Sequence, residues 1–309
     1  AVTGCNPSGR NLPGGSGTLT VGDSVNGYQI RTGTGDIDVA AGRDLALANS
    51  ASAIFTAGQA DAPLAGFTAA ADATYGVFGG NLRIVAQGNA TSTLPADLHD
   101  SQLFVEWLKR QGQTDSGFVY LPDQQSSWWV DYNAFQQGVG ALGGGNVSVS
   151  TGGDLVNMLV ALPSNGRVTG GLTSGESKIL ETRNGGLMEV SAGGAVKAGY
   201  YYVGRGAGTI TAGEFSAGRD VTILTSPDFG TTVRTEVYSI SPVIALGDAS
   251  MSVRTAGDLR LQTVLDPLLL GGSDWNAGAY MSGYTDRTAL ELTSVGGNVI
   301  LSIRGNTSR

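Results

Sequence analysis

The feature that most narrows what this chain can fold into is a repeated corner. In Gly145 to Asn157, GNVSVSTGGDLVN, Val147 and Val149 alternate with Ser148 and Ser150. Gly152, Gly153 and Asp154 then form a bend, and Leu155 starts again. Period-two alternation marks a strand with one buried face, and a Gly-Gly-Asp cluster marks a turn, so the stretch predicts two short strands meeting at a corner. The same grammar returns as GDIDVAAGRDLAL from Gly35, GLMEVSAGGAVKA from Gly186, EFSAGRDVTIL from Glu214 and GDASMSVRTAGDLRL from Gly247, with shorter versions from Gly79 and Gly296. The corner positions Asp44, Asp154, Ala195, Asp220 and Asp258 are spaced by one, two or more units of roughly 20 to 25 residues, the repeat length of a solenoid.

These units predict an all-β chain wound as a parallel β-helix. Each coil would hydrogen-bond to its neighbours about 4.8 Å away, so strands of four or five residues with two inward side chains are sufficient. Val147, Val149, Val221, Ile223, Val253 and Leu292 are the expected inward residues. Corner glycines are expected to supply positive φ, and the acids beside them to bond their own backbone. Asp36, Asp44, Asp154, Asp220 and Asp258 are therefore read as structural turn residues. About ten to twelve coils at that spacing make a shaft roughly 50 Å long.

Residues 1–27 read as an N-terminal arm or an irregular first coil, and 28–309 as the β-helix, interrupted by excursions at about 50–77 and 91–137. The second excursion departs most from the repeat. Asp97 can cap a helix whose apolar residues Leu103, Phe104, Trp107 and Leu108 fall on one side, with Lys109, Arg110 and Gly112 as its stop signals. Phe118, Tyr120, Trp128, Trp129, Tyr132 and Phe135 follow, and this much apolar surface predicts that the segment lies against the stack. Trp128, Trp129 and Tyr132, with Tyr200, Tyr201 and Tyr202, are candidates for a sugar- or protein-binding platform. The competing reading is that they fasten the excursion. Alternation puts one of Trp128 and Trp129 outside.

Composition limits the chemistry. Glycine is 49 of 309 residues and charged residues are 14%, yet 41% of the chain is hydrophobic and arranged in alternation, so the chain folds. Net charge is −8 with no cluster of Lys or Arg, which argues against nucleic acid as a partner. Cys5 is the single cysteine, leaving no intrachain disulfide and no thiolate metal site. No cofactor or metal is expected. No apolar run approaches the length of a membrane-spanning helix. The chain begins at Ala1 without a signal-like segment and reads as a processed product or a piece of something longer.

The corner acids could line up and bind cations, but the dense GGxGxD pattern of calcium solenoids is absent, and turn capping is the alternative. A β-helical lyase or glycosidase needs paired carboxylates on neighbouring coils. Glu181, Glu189 and Glu291 are available, and the sequence places no two of them together. His99, the sole histidine, has no recognisable nucleophile motif to work with.

The AGRDL, GGDL and AGDL corners after alternating strands resemble the repeats of the filamentous haemagglutinin family of secreted bacterial exoproteins. The stretch from Trp128 through FQQGVGALGGGNVSVSTGGDL to ALELTSVGGNVILSI looks like a functionally uncharacterised region of some large members. The resemblance implies a right-handed coil, export through an outer-membrane barrel transporter of the two-partner type, and a role in adhesion or cell contact. It carries over no catalytic residues. The family's amino-terminal secretion domain is not evident, so the transporter contact would lie outside this chain. The resulting expectation is a non-enzymatic segment of a large secreted or cell-surface adhesin. Its partners would be a host or neighbouring-cell surface protein or glycan and further coils of the same polypeptide. The alternatives are an extracellular polysaccharide lyase or hydrolase, and a trimeric fibre.

Overall fold

A computed structural model describes residues 17–61, 74–93, 107–111, 127–170, 179–225, 234–267 and 283–301. These residues are all-β, and most belong to one eighteen-stranded sheet in which every pairing is parallel. The pairings sort into three ladders, and the chain visits them in one fixed cyclic order. Ladder one begins with Leu19–Val21 on Leu45–Leu47 and ends with Leu259–Leu261 on Val299–Leu301. Ladder two begins with Gln29–Thr32 on Ala53–Thr56 and ends with Thr263–Leu265 on the strand Val243–Thr255. Ladder three begins with Ile37–Ala41 on Leu82–Ala86 and ends with Ala289–Ser294 on Val243–Thr255. The cyclic order is compatible with a β-helix.

Register explains the stability of the stack. In ladder three the inward columns read Ile37, Leu82, Val147, Met188, Gly208, Met251, Leu290 and Val39, Ile84, Val149, Val190, Ile210, Val253, Leu292. Similar apolar residues therefore lie over one another with strand spacing, and the interior columns merge into a single core. Ladder one, the longest, holds eight rungs among the described residues. That is fewer than the expected ten to twelve, because long stretches of chain leave the stack between rungs.

The middle rungs of ladder two differ from the other ladders in being buried on both faces. Ala53–Thr56, Gly138–Ala141 and Leu159–Leu162 are buried at every position, and so are Tyr200, Tyr201, Tyr202 and Val203. Such strands read as continuous apolar runs without alternation. For this reason Ala53–Thr56, placed by sequence inside an excursion, is in fact a rung; Leu19–Val21, in the stretch read as an arm or an irregular first coil, is a rung of ladder one.

Every departure from the stack begins or ends at ladder two. The chain leaves it after Thr56, after Leu162 and after Leu265, and returns to it at Gly138 and Val243. Four departures contain antiparallel structure, and two of them contribute to one sheet. Gln59–Ala60 pairs with Gly76–Val77, and Arg219–Thr225 pairs with Arg234–Ile240 as a hairpin. A four-stranded lateral sheet runs Leu108–Gln111, Ser127–Val130, Ser164–Gly170, Ile179–Asn184.

Two sequence expectations are corrected here. The expected helix is strand at Leu108–Gln111, which pairs with Ser127–Val130; its earlier part lies outside the described residues. The strand holding Asp220, Val221 and Ile223 is not a rung of the stack but one arm of the hairpin, so Asp220 marks no coil corner. Period-two alternation is the same in a coil strand and a hairpin strand, and it cannot tell them apart.

Candidate functional site

The corner residues work between coils. Asp44 Oδ1 accepts the backbone N–H of Asn89 at 2.8 Å, Asn89 Oδ1 accepts that of Asp154 at 2.8 Å, and Asp154 Oδ1 accepts that of Ala195 at 2.8 Å. A second column starts at Asp36, whose Oδ1 accepts Asn81 N–H at 2.7 Å. Asn81 then serves Asn146 at 3.0 Å, and Asn146 serves Leu187 at 2.9 Å. Asp258 continues the first column by accepting Asn298 N–H at 2.8 Å. These acids therefore bond the next coil rather than their own backbone, because the coil spacing brings the next N–H within reach of a two-carbon side chain.

The glycine before the corner residue makes this link possible. A Cβ on Gly153 would lie 2.3 Å from Asn89 Oδ1, and one on Gly194 would lie 2.3 Å from Asp154 Oδ1. Neither glycine has positive φ, so these corners require glycine for close approach and not for a left-handed backbone. Asn89→Ala orphans the Asp154 N–H, and Gly153→Ala pushes the acceptor away from it. Each is expected to lower stability by about 1–3 kcal/mol, measured as a shift in the urea midpoint at unchanged slope.

Asp154 carries an additional partner. Its Oδ2 receives Lys197 Nζ at 2.6 Å, and this bond, with the Ala195 N–H, holds the carboxyl below the usual range. A carboxylate lowered in the folded state stabilises above its unfolded value of about 3.9, and that stability is lost as pH falls through the lower folded value. Lys197→Met is expected to reduce stability at pH 7 by under about 1 kcal/mol, since the pair is partly solvated. The difference from the unsubstituted protein should close as the pH drops below about 4, followed by urea melts across pH.

The outer face of ladder two forms the second core. Phe55, Tyr200 and Tyr202 from the ladder meet Trp107, Trp128, Val130 and Phe135 from the lateral segment. Trp107 packs edge-on to Phe135 at 5.2 Å and lies 6.0 Å from Tyr202. Trp128 donates its indole N–H to Ser164 Oγ at 3.3 Å and crosses Gly166 so closely that a Cβ there would sit 2.2 Å from the ring. Trp129 turns the other way, onto Tyr75 at 6.0 Å. Tyr132 stacks on Phe55 at 6.4 Å, and burial pushes its hydroxyl up to about 12.

The structure thus places both indoles inside, at 2% and 3% exposure, where alternation had put one outside. The lateral strand is covered on two sides, by ladder two and by the residues around Tyr75. Tyr201 points the opposite way from its neighbours, into the inner core beside Phe215. A binding role for Trp128, Trp129 or Tyr132 would require the lateral sheet to open.

The lateral sheet is also tied by charge. Asp61 Oδ2 meets Arg167 Nη2 at 2.8 Å and Arg183 Nη1 at 2.5 Å, and Arg183 Nε meets Glu181 at 2.8 Å. Nothing in local sequence marks this network, since Asp61 and Arg183 lie 122 residues apart and meet only when the lateral sheet forms.

The remaining carboxylates do not converge. Glu181 is held in that network. Glu189 and Glu291 share one outward column of ladder three, but they are three rungs apart, with Thr209 and Ser252 between. Three rungs at about 4.8 Å make about 14 Å, beyond the separation of either kind of glycosidase pair. His99 lies outside the described residues. Among the described residues no helix is long and apolar enough to cross a membrane, and no three of His, Cys, Asp and Glu gather as metal ligands.

No protein-family model matches this chain, and no curated protein or solved structure matches it either.

Proposed function

We propose that this protein is a stiff right-handed parallel β-helical shaft, part of a large secreted or cell-surface adhesin of the filamentous haemagglutinin kind. The observation that carries the reading is the division of labour around the stack. Three ladders repeat in fixed order, and every inserted segment flanks ladder two. Ladders one and three supply a regular rod, while ladder two is the flank along which non-repeating chain is displayed. Export by a two-partner barrel transporter and stacking onto further coils of the same polypeptide belong to this reading. Its target is a protein or glycan on a host or neighbouring cell, and it uses no cofactor.

Beads coated with the protein test it. They are expected to bind target cells saturably, and binding should be blocked by antibodies raised against the lateral sheet and not by antibodies against ladder three. The second reading, a β-helical lyase or hydrolase, predicts release of reducing or unsaturated ends from a polysaccharide panel, abolished by one carboxylate substitution. That result, with no bead binding, would remove the adhesin reading.

A further inference from the structure

A shallow pocket of about 270 Å³ lies where the chain passes from ladder two into ladder three, lined by Arg205, Gly206, Asp248, Ala249, Ser250 and Arg287. Arg205 and Asp248 occupy the same register position in successive coils. Arg287 comes from the next coil, and its Nε meets Asp248 Oδ1 at 3.0 Å while its Nη2 contacts Oδ2. Thr285 donates its hydroxyl to Asp248 Oδ1 at 2.6 Å. The Asp248 side chain is only 8% exposed, and both of its oxygens are engaged.

That arrangement leaves an excess of positive charge. One carboxylate is matched by one guanidinium, and Arg205 is unmatched by any acid among the described residues: its Nη1 donates to the backbone oxygen of Thr182 at 2.9 Å. Among the described residues Arg287 bonds through Nε and Nη2 and not through Nη1, and its side chain is 67% exposed. On a chain of net charge −8, a pocket edged by two arginines and a serine hydroxyl is a local exception. Paired guanidiniums favour planar oxyanions, which they hold through charge-assisted hydrogen bonds. The volume falls below that of pockets for drug-sized ligands and suits a single monomer or the terminal unit of a longer chain.

We infer that this pocket is a binding subsite for the carboxylate of an acidic sugar, with Arg205 and Arg287 on the carboxylate and Ser250 on a ring hydroxyl. The inference goes beyond the shaft reading and does not depend on adhesion, because binding of the free monosaccharide can be measured on the isolated protein.

The test is a titration of the full chain with galacturonate, followed through the backbone amide signals of Gly206, Ala249 and Ser250, with galactose as the uncharged control. Galacturonate should shift these signals saturably and galactose should not. Arg205→Ala should weaken binding about tenfold or more, the loss expected when a charged hydrogen-bonding partner is removed, while Arg205→Lys should fall between. Amide signals from ladder one report that each variant remains folded. Equal shifts with galactose, an affinity unchanged by Arg205→Ala in a folded variant, or no shift at tens of millimolar galacturonate would each overturn the inference. In all three cases the adhesin reading would stand or fall on the bead assay alone.

Discussion

Trp128→Ala should release the lateral sheet while the coil stays folded. The indole fills the space between Gly166 and the outer face of ladder two, is 2% exposed, and also supplies the bond to Ser164. Removing a buried tryptophan leaves a cavity worth about 3–5 kcal/mol. Little of that cost falls on the inner core, to which Trp128 does not belong. Limited proteolysis should therefore cut within residues 107–130 and 164–184 much earlier than in the unsubstituted protein, and not within the rungs at 138–162, while far-ultraviolet circular dichroism keeps most of its strand signal. Loss of the whole signal at one temperature would mean that coil and lateral sheet fold as one unit.

The second large effect concerns position along the stack. Ile210 is fully buried in ladder three with Val190 on one side and Val253 on the other, so Ile210→Ala should cost about 2–5 kcal/mol. Leu292 holds the same column in the last described rung, where it packs only partly against the core, and Leu292→Ala should cost less than half as much. In a stack stabilised by nearest neighbours, an interior rung loses contacts on two sides and a terminal rung on one. Urea midpoints of the two variants measure the ratio. Equal losses would show that the stack does not behave as a series of neighbouring rungs.

The inward face of the coils was legible in the sequence because one-sided burial imposes alternation. Val147, Val149 and Val253 all lie inside as expected. Where both faces are buried, alternation disappears, and nothing in the sequence separates Ala53–Thr56, a rung of ladder two, from the excursion that follows it. The apolar spacing of Trp107 and Leu108 suggested a helix for a related reason. Trp107 and Leu108 are both buried in the second core, at the start of the strand Leu108–Gln111, so neighbouring apolar residues here pack a lateral layer and not one side of a helix.

The candidate site was half visible. The repeated Gly-Asx pairs 80–81, 88–89, 145–146, 153–154, 257–258 and 297–298 were present as a signal, and the corners they mark are real. Their partners were not visible, since a side chain that bonds the next coil has its partner some 40 to 65 residues away at an offset set by the excursions. The Arg205–Asp248–Arg287 column escaped notice in the same way, because its members become neighbours only once the coils are laid over one another.

The corner bonds all point in one direction. In both columns the side-chain oxygen belongs to the earlier coil and the N–H to the later one. A coil already in place thus presents a ready acceptor to whatever chain is threaded onto it afterwards. A coil added at the opposite end would have to bring its own acceptors to donors laid down earlier. The two ends of the stack are therefore chemically unlike: the amino-terminal side of each junction brings the side-chain acceptors, and the carboxyl-terminal side brings the backbone donors.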